Sequence, residues 1–457
     1  MKTQRIHYKP ICVILMLFLV CSIACNEVRN VTYSEHIAQI IFENCSSCHR
    51  PHESGPFPLT NYKEVFKYAE MIKEVTQNRY MPPWSADPAY SHFLNEKRLT
   101  DQEIEQITRW VDRGAPLGDS SKIPEAPVFH NNSSIGKPDL VLKMTQPYVI
   151  PPDGEDKFKV FIFPIHIRKD TIVKAMEFVP GNKKLVHHVW YFEDTTNYFS
   201  TLDSLLPGYA FNFFEGNDYL PIPPEILVVY PELSELKTTS TKHLMDGGAG
   251  YIPGSSTQIY PPGIGRLLRA NTTLLMQIHY SGTGLKSEDL SRLNLFFARE
   301  PIERHTQFIL LEEDNITNSP FTIPAGEVKN FQSSQLITQD ISILSIAPHM
   351  HYRGTKIKAY SVNEDGDTLN LIRINNWDFN WQGIYYFEHL MKIVANSTIY
   401  LEGTFDNTSE NPFNPILPPK DVKWNLSSKD EMFGVFIEWI PYKIGDEQLQ
   451  MLSDHHE

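Results

Sequence analysis

Between residues 26 and 119, apolar side chains recur every three or four positions, the spacing of helices that bury one face. One helix is expected to open at Ser34, and a second is expected to be capped by Thr60. A third begins at Thr100, where Glu103 completes a capping box. The pattern therefore predicts a small all-α domain in this part of the chain.

The pattern changes after a polar linker over residues 120–137. Short apolar runs, such as 159–163 and 341–344, alternate there with turns rich in Pro, Gly, Asn and Asp. About 320 residues of short strands are too many for one β-sandwich. We therefore expect two all-β, jelly-roll-like sandwich domains at 138–300 and 301–457, which makes the predicted fold multidomain.

The first 25 residues have the features of an export signal rather than of a folded element. A basic start precedes an apolar run over residues 11–20, which is too short to span a membrane. Small residues then lead to Cys25, as they do where a lipoprotein signal is cut before an acylated cysteine. The sequence favours an exported bacterial lipoprotein, periplasmic or at the cell surface and anchored to a membrane. A plain secretory signal is the alternative.

The composition is ordinary for a soluble globular protein. Of 457 residues, 41% are hydrophobic and 21% charged, and the net charge of -14 argues against a nucleic-acid partner. Two of the five cysteines, Cys12 and Cys21, lie in the signal segment, and a third is the possible anchor. Only Cys45 and Cys48 remain, so the predicted β domains contain no disulfide.

The surviving cysteines form the motif Cys45-Ser46-Ser47-Cys48-His49, which is the attachment signature of haem c. In that chemistry both thiols bond the porphyrin and the histidine ligates the iron. Met81, in a proline-flanked loop, is the best candidate for the second axial ligand, with Met71 as the competitor. A redox or zinc Cys-x-x-Cys pair is the alternative. With Met81-Pro82-Pro83-Trp84, the segment resembles a bacterial cytochrome c module over residues 33–119, which implies electron transfer.

The chain has 17 histidines, and several in the β region occur as close pairs. His349 and His351 are two residues apart, a spacing that places both imidazoles on one face of a strand. His187 and His188 are adjacent and would point to opposite faces unless the strand ends or twists there. His279 lies between these pairs. Each feature alone is as consistent with structural histidines as with metal ligands.

Taken in order, these motifs resemble the copper type II, ascorbate-dependent monooxygenases, which include peptidylglycine- and dopamine-hydroxylating enzymes. The resemblance runs from about residue 135 to about 442. The motifs are His187-His188-Val189-Trp190-Tyr191, Gln277-Ile278-His279-Tyr280, His349-Met350-His351-Tyr352-Arg353-Gly354, Trp377-Asp378-Phe379-Asn380-Trp381-Gln382, Gly403-Thr404-Phe405-Asp406-Asn407-Thr408 and Asp430-Glu431-Met432.

The resemblance implies two copper sites. An electron-transfer copper would be held by His187, His188 and His279, and an oxygen-reactive copper by His349, His351 and Met432. A thioether ligand favours Cu(I), and a methionine in the second set argues against zinc, although three histidines by themselves suit zinc equally well.

The chain also departs from the family. Where peptidylglycine-hydroxylating enzymes bind the substrate carboxylate with Arg, Asn and Tyr, this sequence has Ala347, Gly434 and Phe436. A peptide ending in glycine is therefore not the expected substrate, and an apolar or aromatic small molecule is favoured.

The leading hypothesis is an O2-dependent C–H hydroxylase with two copper ions and one covalently attached haem c. The haem would receive electrons from ascorbate, a quinol-linked donor or another cytochrome. Two alternatives remain: a haem/copper redox carrier or copper-binding protein without hydroxylase activity, and a zinc-binding adhesin on a lipid anchor.

Overall fold

The computed structural model describes residues 31–129, 133–195, 198–212, 224–231, 245–255, 257–425 and 427–453. The predicted signal segment and Cys25 lie outside these residues. The chain divides into two compact units, Met1–Pro83 with Lys97–Val128, and Trp84–Glu96 with Phe129–Glu457. Among the described residues, none of the helices combines the length and apolar character that a membrane span requires.

The first unit is helical. After a π-helical turn at Tyr33–Ile37 it contains α1 (Ala38–Asn44), α2 (Tyr62–Lys67), α3 (Ala69–Gln77), α4 (Asp101–Asp112) and a 3-10 turn at Ser120–Lys122. Its core forms around the fully buried Trp110, which packs against Tyr33. The helices bury most of the apolar positions that the sequence spacing predicts, whereas Phe66 of α2 is half exposed.

The predicted capping box at the start of α4 is confirmed. The Thr100 side chain accepts the backbone N–H of Glu103, whose carboxylate accepts the N–H of Thr100 in return. The prediction for α2 is wrong by one residue, because Asn61 is its N-cap. Thr60 instead donates its N–H and hydroxyl to the carboxylate of Glu64.

The second unit is built from strands. Its first part contains β1 (Leu140–Lys143), β2 (Tyr148–Ile150), β3 (Lys157–Pro164), β4 (Thr171–Val179), β5 (Val186–Asp194), α5 (Tyr198–Leu205), β6 (Phe211–Asn212), α6 (Pro224–Val229), β7 (Met245–Tyr251), β8 (Gln258–Ile259), β9 (Ile264–Leu268), β10 (Thr273–Tyr280), β11 (Ser287–Asp289), β12 (Arg292–Phe297) and β13 (Arg304–His305). Its second part contains β14 (Gln307–Leu311), a 3-10 turn (Glu313–Asn315), β15 (Thr322–Ile323), β16 (Val328–Leu336), β17 (Ile341–Met350), β18 (Gly354–Val362), β19 (Thr368–Ile374), β20 (Tyr385–Ile393), β21 (Thr398–Asp406), β22 (Val422–Lys423), β23 (Phe433–Pro441), a 3-10 turn (Asp446–Gln448) and β24 (Leu452–Ser453).

Each part pairs two main sheets around a core. In the first part the sheet β6-β3-β10-β5-β7 packs against the sheet β1-β12-β4-β8-β24, to which β9 and β13 are added at β4. In the second part β14-β23-β17-β20 packs against β16-β21-β18-β19. The minor pairs are β11-β2 and β15-β22. The result is the predicted pair of β-sandwiches.

The central strands of both sandwiches are buried on both faces. Every residue of β10 is buried, because one face packs in the sandwich core and Leu275 on the other face joins a cluster with Phe199 of α5. In β17, Ile343 faces the second core, whereas Leu344 joins a cluster that also includes Ile264 of the first sandwich. The outer face of β17 is therefore turned towards the first sandwich, and this orientation matters for the sites below.

Two segments lie outside the domains to which the sequence assigns them. Residues 84–96, predicted to belong to the helical domain, lie in the second unit because Trp84 and Phe93 pack against Tyr385 of β20. The final strand β24 pairs with β8, so the end of the chain joins a sheet of the first sandwich. Both differences arise from contacts between residues far apart in sequence.

Candidate metal centres

Three histidines of the first sandwich meet on neighbouring strands. β5 and β10 are antiparallel, and His188 lies directly opposite His279. The flanking residues Val189 and Ile278 point into the sandwich core, so alternation turns both imidazoles to the other face. Both are buried, at 6% and 1% exposure.

A β-bulge brings the adjacent His187 into the same group. The register shifts so that Tyr280 pairs with Val186, which leaves His187 as the additional residue. Its Nδ1 lies 3.2 Å from Nδ1 of His188, which is itself 3.4 Å from Nδ1 of His279. The three ligand atoms lie within 4.8 Å of one another. The bulge removes the stereochemical obstacle that adjacent residues on a regular strand would present.

The imidazoles of His187 and His188 are neutral at physiological pH. Burial lowers the pKa of His187 to about 4, and burial with neighbouring imidazoles holds the pKa of His188 well below its usual range. A neutral imidazole keeps the nitrogen lone pair that a metal requires. Three imidazole nitrogens around one point fit a copper ion.

A carboxylate lies next to one imidazole of this group, on the side away from His188. Asp156 lies 3.1 Å from Nε2 of His279 and accepts the N–H of Gly282. Phe158 stacks on the His279 ring, with centroids 4.1 Å apart and planes at 13°. This arrangement fixes the ring and leaves Nδ1 directed at His188, as carboxylate–histidine–metal arrangements do.

We expect Asp156→Asn to weaken copper binding at this set by about 10- to 100-fold, because the ring loses its orienting carboxylate. Competition titration with a copper chelator measures the change. The matched control is Asp153→Asn, three residues away, whose carboxylate pairs with Lys157 instead. An affinity equal to that of the control would show that Asp156 does not position His279.

The second group is on the outer face of β17. Met350 is fully buried in the second core, so His349 and His351 point to the opposite side, towards the first sandwich. Their rings are perpendicular, with centroids 5.2 Å apart. Burial lowers the pKa of His349 to about 4, and Nδ1 of His349 is a buried atom without a hydrogen-bond partner. A buried nitrogen of this kind suits a metal ligand.

Met432 lies beside this pair through strand register. Met350 pairs with Phe433 of β23, and the two strands are antiparallel. His351, which follows Met350, and Met432, which precedes Phe433, therefore lie next to that pair. The carboxylate of Glu431 accepts the N–H of His351 at 2.9 Å and that of Met432 at 3.2 Å. The two backbones are therefore joined where the second ligand set is predicted.

A buried polar network lies next to Met432. The Glu431 carboxylate also accepts the N–H of Arg353 at 2.6 Å, and the Arg353 side chain donates to Asn407 and to the carbonyl of Lys429. Glu431, Arg353 and Asn407 are all fully buried. These residues fall in three of the six motifs, and the structure gives each of them a structural role next to the ligands.

The segment 377–382 contacts both histidine sets, although its sequence by itself indicates no role. The imidazole of His187 is hydrogen-bonded to the backbone of Asn380. A hydrogen bond with the side chain of Gln382 raises the pKa of His349 and partly offsets the effect of burial. One loop of the second sandwich thus touches both histidine sets. Alternating aromatic and amide residues were the available signal, but no local rule connects them to either set.

The haem motif lies in the first unit, directly after α1. Nδ1 of His49 bonds the carbonyl of Phe57 at 3.0 Å, which leaves Nε2 for a metal. The thiols of Cys45 and Cys48 are free, and burial raises the pKa of the Cys45 thiol to about 12. A side chain at Gly55 would lie 2.7 Å from the carbonyl of Cys48 and 2.9 Å from His49 Nδ1, so glycine is needed there. These residues fit a covalently held haem.

The two candidate methionines differ in setting. Met71 lies on α3 and is 49% exposed, so it is not part of the core. Met81 follows α3 and is partly buried, and its N–H donates to the carbonyl of Val75. Met81 as the second axial ligand stays a prediction.

Two histidine groups on facing β-sandwiches define a candidate two-site metalloprotein. Residues 327–446 match the family model for the C-terminal domain of copper type II ascorbate-dependent monooxygenases. The matched segment is similar to that domain, and it contains His349, His351 and Met432. The first histidine set and the haem motif lie outside the matched residues.

A search of curated proteins gives no match. Among solved structures, the chain is similar to the infectious bursal disease virus VP2 subviral particle, at 13% identity, covering 71% of this chain and 77% of that one, with a TM-score of 0.17. A second is infectious bursal disease virus Gt strain, at 11% identity, 68% and 74% coverage and a TM-score of 0.17. Likenesses at this TM-score do not bear on fold or function.

Proposed function

We propose that this protein is a copper- and O2-dependent monooxygenase that hydroxylates a C–H bond of a small organic substrate. The observation that carries the proposal is the placement of two sets of imidazoles on facing sandwiches, one set within the matched family domain. Bound copper supplies one-electron redox chemistry and reactivity with O2. The two sets allow the protein to store the pair of electrons that monooxygenation consumes.

The ligand types assign the roles of the sets. His187, His188 and His279 offer three imidazoles, which serve both oxidation states of copper and suit electron transfer. The set of His349, His351 and Met432 includes a thioether, which favours the reduced state that must meet O2. The reaction with O2 is therefore proposed at the set of His349, His351 and Met432.

The surroundings of the second set favour an apolar substrate. Ala347 pairs with Phe436 across the strands, and Trp190 packs against Phe436 with ring centroids 4.5 Å apart. Apolar side chains thus occupy positions where peptidylglycine-hydroxylating enzymes bind a carboxylate. A hydrophobic wall of this kind supports an apolar or aromatic small molecule as substrate.

The helical unit is proposed to be a cytochrome c domain that supplies electrons to the copper sites, from ascorbate, a quinol-linked donor or another cytochrome. We expect Met81→Leu to retain covalent haem but to change its reduced absorption spectrum, because a thioether ligand is lost. Met71→Leu is the matched control, since Met71 is exposed on α3. A spectrum unaffected by Met81→Leu would place the distal ligand elsewhere.

Export and anchoring through Cys25 are also proposed, on sequence alone. Cell fractionation of the protein and of Cys25→Ser tests this, because only an acylated protein needs that cysteine to partition with membranes. Wild-type protein found entirely in the soluble fraction would contradict the anchor.

Substrate-dependent O2 consumption tests the main proposal. The purified protein, loaded with copper and supplied with ascorbate, is screened against apolar and aromatic compounds, with product detected by mass spectrometry. Hydroxylated product in proportion to O2 consumed supports the enzyme. Two bound coppers without coupled O2 consumption would favour the haem/copper redox carrier, and zinc in place of copper would favour the adhesin.

A further inference from the structure

Two aromatic side chains connect the histidine sets across the sandwiches. We infer that Trp190 and Phe379 form an aromatic bridge that carries electrons from the first set to the second. The inference rests on the proposed function, because it requires copper at both sets. It concerns residues to which the ligand motifs assign no role.

Trp190 forms one arm of the aromatic bridge. It lies two residues after His188 on β5, so both side chains share the face directed at the second sandwich. Its ring centroid is 6.4 Å from that of His188 and 5.8 Å from that of His349, with planes at 82° and 79°. One ring thus contacts a predicted ligand of each set.

Phe379 forms the other arm from the opposite direction. It belongs to the loop 377–382 of the second sandwich and is 5% exposed. Its ring centroid is 6.3 Å from that of His279 and 5.8 Å from that of His351. Each arm therefore runs from an imidazole of the first set, through one aromatic ring, to an imidazole of the second.

The geometry favours electron transfer over packing alone. A packing role needs only apolar area and does not require that each ring contact imidazoles of both sets, as these two rings do. Electron tunnelling weakens steeply across gaps, and continuous ring contacts shorten those gaps. In the step, a metal at His187, His188 and His279 loses one electron, and a metal at His349, His351 and Met432 gains it. No proton or other reactant is consumed.

The experiment follows electron redistribution without substrate or O2. Protein loaded with two Cu(II) ions is mixed anaerobically with dithionite, at one electron equivalent beyond that taken up by haem, and is frozen at increasing times. Electron paramagnetic resonance distinguishes three-imidazole from imidazole–thioether coordination and follows the electron as it moves to the Met432 set. Independence of the rate from protein concentration identifies transfer within one molecule.

We expect Trp190→Leu with Phe379→Leu to slow redistribution at least about tenfold while two coppers remain bound. Each single substitution is expected to slow it less, and Trp190→Phe is expected to restore most of the rate because a ring is kept. Phe413→Leu, at an exposed position, is the control. If the double variant loses copper, the single variants decide by the same measurement.

Redistribution at the wild-type rate in variants that retain both coppers would overturn the aromatic bridge. That result leaves the proposed function intact, because copper content and O2 consumption are measured separately. A wild-type protein that does not bind two coppers would instead contradict the proposed function.

Discussion

His279→Ala is expected to reduce the copper content from two equivalents to one. The imidazole of His279 lies opposite His188 and is held by Asp156 and by the stacked ring of Phe158, so its loss removes one of three converging nitrogens and leaves a gap beside the others. The second set stands on β17 and next to β23, whose cores do not include this residue. Copper bound there should remain. Metal analysis measures the number of copper equivalents, and electron paramagnetic resonance shows which of the two sets holds the remaining copper.

The control for His279→Ala is His305→Ala, which removes an exposed histidine from β13. It should leave both equivalents in place. Loss of both coppers from His279→Ala would mean that the two sets form one coupled site. Retention of both coppers would show that His279 is a structural histidine, as a lone strand histidine often is.

Glu431→Gln is expected to lower the free energy of unfolding of the metal-free protein by roughly 2–4 kcal/mol. Three backbone N–H groups, those of His351, Arg353 and Met432, converge on the carboxylate. A glutamine offers one carbonyl oxygen, and its amide N–H2 would face at least one of these donors in a fully buried position. The substitution also removes the carboxylate that lies near the buried guanidinium of Arg353. Chemical denaturation measures the loss.

The same substitution should weaken copper binding at the Met432 set and spare the His279 set, because Glu431 joins the backbones of His351 and Met432 only. Glu410→Gln, at an exposed position, is the matched control. A change in unfolding free energy below about 0.5 kcal/mol would be that of an ordinary surface substitution and would contradict the structural role.

Local patterns were sufficient for the elements of the fold. The capping box at Thr100 and the three- and four-residue spacing predict helices, since a helix is decided by neighbours within one turn. The spacing of His349 and His351 likewise predicts that both lie on one face, because alternation along a strand is a local property. The order of the motifs identified the family that the match to residues 327–446 supports.

Tertiary structure decided what joins these elements. The sequence left His187 on the wrong face of a regular strand, and only the pairing of β5 with β10 creates the bulge that turns it towards His188. In the sequence, Trp190 and Phe379 are apolar residues of their motifs with no indicated role. Strand direction and sandwich packing place them between the histidine sets. The sequence assigns Glu431 no role within its motif, and the tertiary structure buries it fully among backbone donors. Register and long-range contacts depend on residues more than 80 positions apart, such as His188 and His279, and no local rule encodes them.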